Sequence, residues 1–193
     1  MPSFATSCTT ALFADDSKCF KQISSTIDCI LLQNDLNRFS EWSKLWNMSF
    51  NASKCKVLSI TRSRHPIHYD YQLNGVSLDH VGSFKDLGVI FNERLSFTSH
   101  IESIISKSNK MCGIVKRSLG FHAPCDVKLQ LYKSLCRSNL EYSTQVWSPH
   151  CRGEIKSIES VQRSITRYML PDSELSYTER CQSLDLMPLT FHQ

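Results

Sequence analysis

The sequence predicts an α+β fold, with short strands around one long helix in its first half and helices alone in its second. Three observations carry this expectation. Up to about residue 97, β-capable runs alternate with turn signals, the clearest being Asn74-Gly75 inside "YDYQLNGVSLDHV". A single stretch from about Ser25 instead places apolar residues three and four apart. From Thr98 onward that helical spacing persists almost without interruption.

The composition bounds the class. The chain has 193 residues, 41% hydrophobic and 21% charged, enough for one good core or two small subdomains. No run approaches the roughly 18 apolar residues that cross a bilayer, so no membrane partner is expected. The opening "MPSFATSCTT" lacks a basic region followed by an apolar one, so no secretory signal is read. An intracellular location, cytoplasmic or nuclear, is expected. The nine cysteines are scattered, without a CxxC pair, and read as reduced thiols with no disulfide. His150-Cys151 and His122/Cys125 lack partner pairs at zinc-finger spacing, so zinc is not expected.

Taken in order, "TTALF" and "SKCF" flank Ala14, Asp15 and Asp16 as a β-hairpin with a tight turn. Two adjacent carboxylates at a hairpin tip either cap the turn or hold a cation. Like charges that close repel one another unless a cation relieves them. The long helix follows, with Ile27, Ile30, Leu31, Phe39, Trp42 and Trp46 as its apolar stripe. Gln33, Asn34, Asn37 and Lys44 lie on its polar face. "CKVLSI" (55–60) reads as a short buried strand, and the Asn74-Gly75 hairpin comes next. "SFKDLGVIF" (83–91) reads as one further strand, with Gly88 allowing close approach.

The helical half shows three stripes. Ile101, Ile104, Ile105, Cys112, Val115 and Leu119 form the first; Leu131, Tyr132, Leu135, Cys136 and Leu140, after the helix-start marker Pro124, form the second. Ile155, Ile158, Val161, Ile165, Tyr168 and Met169 form the third. Charge is uneven along the chain. Residues 1–97 hold ten Lys/Arg against nine Asp/Glu, whereas 101–170 hold eleven against five. Such an excess suits a polyanion, and is also common on a solvated helical face.

The ordered series "FADD", "LQNDLNRFSEWSKLWNMSFNASKCKVL" and "SFKDLGVIF", then "LYKSLCRSNLEYSTQVWSP" and "IESVQRSITRYML", resembles the reverse transcriptase of jockey-like, non-LTR retrotransposons. The resemblance covers roughly residues 8 to 190. It implies a partial palm of short antiparallel strands and one long helix over 1–97, carrying motifs C, D and E. A helical thumb-like region over 98–170 and a post-thumb segment over 171–193 would follow. It implies that Asp15 and Asp16 hold catalytic Mg²⁺, and that Lys54 stands where motif D places a general acid for the departing pyrophosphate. Phe84, Leu87 and Gly88 match the primer grip. The partners implied are an RNA template and a DNA primer, their backbone contacted by Lys107, Lys110, Lys116 and Arg117.

The same resemblance implies a second metal-binding aspartate and a nucleotide-selecting segment upstream of the tip. Only fourteen residues precede Asp15 and none is acidic. The sequence is therefore expected to be a fragment, palm and thumb of an RNA-directed DNA polymerase that cannot synthesise alone. The alternative expectation is a helical nucleic-acid-binding module without chemistry.

Overall fold

The computed structural model describes residues 7–171 and 174–189. It divides into two compact units, Met1–Phe84 with Asn92–Leu95, and Lys85–Phe91 with Ser96–Gln193. Helices and short strands are mixed as an α+β fold requires. The strands, among the described residues, form four separate two-stranded pairs.

In the first unit, β1 (Thr9–Phe13) and β2 (Asp16–Phe20) pair antiparallel, from Thr9 opposite Phe20 to Phe13 opposite Asp16. The long helix α1 (Thr26–Leu45) starts at a capping box. Ser25 Oγ accepts the Asp28 N–H, and the Asp28 carboxylate accepts the Ser25 N–H. Ser24 and Ser25 hold the Asp28 carboxyl below the usual carboxylate range.

The buried face of α1 differs from the expected stripe. Cys29, Asp35, Phe39, Ser40 and Ser43 are buried, whereas Ile27, Ile30, Leu31 and Trp46 are exposed. The helix turns toward a small core of Cys29, Tyr71, Leu73 and Leu78, against which Leu32, Leu36 and Phe50 pack. Gln33, expected on the polar face, lies on that side too. It accepts the Gln72 N–H at 2.8 Å and donates to the Gln72 carbonyl at 2.9 Å, standing in for a neighbouring strand.

The "CKVLSI" strand shrinks to β3 (Lys56–Val57), half-buried at Val57 rather than enclosed. It runs parallel to β6 (Asp79–His80). β4 (Gln72–Leu73) and β5 (Val76–Ser77) form the expected hairpin. Asn74 at φ 53° and Gly75 at φ 76° supply the two left-handed turn positions. Residues 83–91 are not one strand. They fold back as β7 (Ser83–Asp86) and β8 (Val89–Asn92), with Leu87 and Gly88 both at positive φ between them.

The second unit is helical from Thr98. α2 (Thr98–Leu119) precedes α3 (Cys125–Leu131), whose N-cap is Pro124. A π-helical stretch, Tyr132–Arg137, leads into α4 (Ser138–Glu141) and α5 (Thr144–Trp147). α6 (Arg152–Met169) and α7 (Tyr177–Ser183) complete the set. The first stripe lines the core as expected, and so does the third from Ile158 onward, with Ile155 only half-buried. In the second, the wide π turn carries Leu135 out to solvent while Tyr132, Cys136 and Leu140 stay fully buried. Burial of each such large apolar side chain contributes about 1.5–3 kcal/mol. The segment "CQSLDLMPLTFHQ" starts in the last turn of α7. Its first residues end α7, then Leu184, Leu186 and Leu189 run irregularly into the core. Its last four residues lie outside the described residues. Among the described residues, no helix is long and apolar enough to cross a membrane.

Candidate active-site hairpin and nucleic-acid face

The hairpin turn consists of Ala14 and Asp15 alone, so Asp16 is already the first residue of β2 and pairs with Phe13. Ala14 sits at φ 52°, where a residue with a Cβ is strained. A two-residue hairpin needs positive φ at its first turn position, normally supplied by glycine. Both carboxylates are exposed at the tip. Strand alternation puts Asp16 on one face with Phe13, Lys18 and Phe20. Phe13, Phe20 and Leu12 remain largely open to solvent. Ten paired residues with no buried face make a marginal hairpin by themselves.

Its base is anchored by a residue the sequence did not single out. The Asp35 carboxylate on α1 accepts from the backbone N–H groups of Ser7 and Cys8 and from the Ser7 hydroxyl. No pattern of apolar spacing marks such a buried acid. Among the described residues, no three His, Cys, Asp or Glu side chains converge in a metal-binding group. Asp15 and Asp16 are thus two hard oxygen donors without a third donor from the described residues.

Lys54 lies in a turn closed by its N–H to the Asn51 carbonyl at 3.0 Å, and its side chain is exposed. Phe84 is on β7, while Leu87 and Gly88 form the turn at the end of the same hairpin. Tyr142 Oη donates to the Leu87 carbonyl at 3.0 Å, and a Cβ on Gly88 would lie 3.0 Å from Tyr142 Cε1. The close approach expected at Gly88 is therefore to an aromatic ring.

On α2 the four expected cations do not form one row. Lys110 and Arg117, two turns apart, line a shallow groove with Ser106, Asn109, Gly113 and Ser157 of α6. Glu102, Ile105 and Ile114 line it as well, so the two cations share the groove with one acid. Lys107 is exposed beside this groove, and Lys116 is drawn toward α6, donating to Ser164 Oγ at 3.3 Å. Lys128, one of the eleven basic residues of 101–170, is buried. It donates to the Phe121 carbonyl at 2.7 Å and covers the Tyr168 ring at 4.8 Å.

No protein-family model matches the chain, and no solved structure matches it. Curated relatives do. A probable RNA-directed DNA polymerase from transposon X-element of Drosophila melanogaster is 28% identical over 165 residues, covering 81% of this chain and 18% of the relative. The RNA-directed DNA polymerase from mobile element jockey of Drosophila funebris is 29% identical over 165 residues, covering 81% and 17%. Its counterpart in Drosophila melanogaster is 28% identical over 166 residues, again covering 81% and 17%. The chain thus spans under a fifth of the length of the curated relatives it matches. These similarities agree with the resemblance carried by the FADD tip and the motifs after it: over most of its length this chain is similar to RNA-directed DNA polymerases of jockey and X-element mobile elements.

Proposed function

We propose that this chain is the part of a retrotransposon RNA-directed DNA polymerase that carries motif C and the helical region behind it. In this reading residues 1–97 belong to the palm, 98–170 to the thumb-like region and 171–193 to the segment after it. The observation that carries it is the strained two-residue turn, which projects Asp15 and Asp16 from a hairpin in a chain related to such polymerases.

An exposed carboxylate pair fits a hard divalent cation such as Mg²⁺, which takes one or two carboxylates and fills its shell with water and phosphate oxygens. When bound, the metal supplies charge neutralisation at the reacting phosphate. The residues themselves do the rest. Asp15 and Asp16 concentrate negative charge at one point, and the turn fixes their spacing. Lys54 is free to carry a proton toward a leaving group. Lys110 and Arg117 line a groove with Ser106, Asn109 and Gly113, where two cations outnumber the one acid, Glu102, which suits a sugar–phosphate backbone bound without regard to sequence.

Two carboxylates with no third donor among the described residues make half a metal site. The chain alone is therefore expected not to extend a primer. Primer extension on poly(rA)/oligo(dT) with Mg²⁺ tests this. Incorporation that disappears in Asp15→Ala would overturn the half-site argument and leave the polymerase reading standing. A Mn²⁺ titration followed by NMR tests the tip directly: selective broadening of residues 14–17, lost in the Asp15→Ala/Asp16→Ala variant, is expected. Uniform broadening would sink the metal role. The groove supports a second reading, nucleic-acid binding without chemistry. Salt-sensitive duplex binding together with no Mn²⁺ effect at the tip selects it.

A further inference from the structure

Between Lys56 and Asp70 the chain carries no acidic residue, yet it carries Arg62, Arg64, His65 and His68. All four side chains are exposed. From Leu58 to Asp70 the stretch has no helix or strand, but it is held at two points. The Thr61 N–H donates to the Glu93 carbonyl at 2.8 Å, and His80 Nε2 pairs with the Tyr69 carbonyl at 3.0 Å. Between these points the Ser63 N–H donates to Thr61 Oγ1 at 3.0 Å, and the His65 N–H to Ser63 Oγ at 3.1 Å. Pro66 fixes one more backbone angle.

Neither Arg62 nor Arg64 has an ion pair or hydrogen bond among the described residues. Other arginines are engaged: Arg38 with Asp35, Arg137 with Glu141, Arg180 with the Leu175 carbonyl. Two unpaired guanidinium groups on a tethered, acid-free loop form a local positive patch with its backbone cost already met. Guanidinium is weakly hydrated and binds phosphate oxygens through two parallel N–H groups. Arg62 and Arg64 are two residues apart, spanning at most ~7 Å, which is the scale of neighbouring phosphates on one strand. Behind the loop, the His68 ring stands edge-on to His80 at 6.2 Å, and His80 neighbours Tyr71 at 6.5 Å.

We propose that residues 62–68 form a second nucleic-acid contact, separate from the α2 groove, in which Arg62 and Arg64 engage phosphodiester groups of an RNA or DNA strand. The exposed His65 and His68 rings face the sugars or bases of that strand. This rests on the reading that the chain holds nucleic acid, and adds to it an element that neither the motif series nor the basic helices point to.

The test is fluorescence-anisotropy binding of the full chain to single-stranded RNA, single-stranded DNA and an RNA/DNA duplex, across a range of KCl. Arg62→Ala/Arg64→Ala is expected to weaken binding about tenfold at low salt and to flatten the salt slope by ~1–2. Lys44→Ala, the loss of an exposed cation on α1 of the same unit, is expected to change affinity less than about twofold, as befits a charge outside the contact. The probe that suffers the largest loss identifies the strand type bound. Unchanged affinity and slope in the arginine variant, with weakening in Lys110→Ala/Arg117→Ala, overturns this inference and leaves the broader reading intact. Equal losses per charge in the arginine and Lys44 variants also overturn it, because net charge alone would then explain binding. No binding of any probe by the unaltered chain at low salt overturns both.

Discussion

Asp35, buried in the middle of α1, accepts both the backbone N–H of Ser7, at 3.0 Å, and the Ser7 hydroxyl, at 2.6 Å. The Cys8 N–H joins them at 2.9 Å. One carboxylate thus ties the root of the β1–β2 hairpin to the helix, while the strands beyond bury almost nothing. Asp35→Ala leaves these donors without their acceptor, at a cost of about 1–3 kcal/mol. The expected result is faster amide exchange across residues 9–20, with α2 and α6 unaffected. Asp35→Asn keeps one acceptor oxygen and should fall between the two. Unaltered protection of the hairpin in Asp35→Ala would show that something else positions the tip.

Gly88 meets two separate constraints. Its φ of +87° suits glycine, and a Cβ there would crowd Tyr142 Cε1 at 3.0 Å. Gly88→Ala is expected to cost about 2–3 kcal/mol, combining the left-handed backbone with displacement of the ring. Tyr142→Phe removes only the hydrogen bond to the Leu87 carbonyl, for about 0.5–1.5 kcal/mol. The two constraints separate in a double-mutant cycle with Tyr142→Ala, which should recover the crowding part and not the backbone part. Urea midpoints measure all four proteins. Simple additivity would mean the ring moves aside freely.

Where sequence reading worked, one local signal was enough. Asn74-Gly75 supplies both left-handed turn positions by residue type, and the change of apolar period at about Ser25 coincides with the start of α1. The stripes of α2 and α6 are legible because each helix faces the same core along its length. The failures are those where a distant partner decides. Ile27, Ile30 and Trp46 look like a buried stripe, but Tyr71 and Leu73 draw the Cys29 and Phe39 side of α1 inward. Leu87 at φ 43° is no turn former, so the β7–β8 hairpin was hidden in an apolar run. Leu135 follows helical spacing that the π turn breaks. Of the candidate site, the acid pair at its tip was legible. The Asp35 anchor, the burial of Lys128 and the divergence of Lys107 from Lys116 were not, since each depends on tertiary packing.

His100, almost fully buried at the start of α2, accepts the Ile90 N–H on Nδ1 at 3.4 Å and meets Trp147 edge to face. Burial, and to a lesser degree Lys85, holds its pKa below the ordinary histidine value. The unfolded chain therefore binds a proton that the folded chain refuses. Stability from this group is full above the unfolded value of about 6.5 and is lost as pH falls from there through the lowered folded value. The melting temperature is expected to hold steady near neutrality and to drop between about pH 6.5 and 5, above the range where carboxylates dominate. His100→Gln should flatten that segment while lowering the plateau. A drop of equal steepness in the variant would assign the pH dependence to other groups.

Gln162 joins four segments of the second unit from a fully buried position on α6. Its Oε1 accepts from Tyr132 Oη at 2.9 Å and from Arg137 Nη1 at 3.3 Å. Its Nε2 donates to Tyr177 Oη at 3.1 Å and to the Met187 carbonyl at 3.0 Å. Tyr177 in turn donates to Glu159, and burial with that carboxylate pushes the phenol pKa up, so the donor keeps its proton at ordinary pH. The amide thus pairs the π-helical stretch, α7 and the Leu184–Leu189 run at once. Gln162→Leu matches the volume but leaves the buried Tyr132 hydroxyl without its acceptor and takes one of two donors from the Met187 carbonyl, at a cost of about 1–3 kcal/mol. The Met187 carbonyl accepts from Gln162 Nε2 and from Arg137 Nη1, each at 3.0 Å, and the run around it has no helix to hold it, so losing one of the two donors should loosen it first. Limited proteolysis is expected to cut after α7 in Gln162→Leu while α2 and α6 remain intact. Cleavage spread evenly over the second unit would instead show that Gln162 supports the whole bundle.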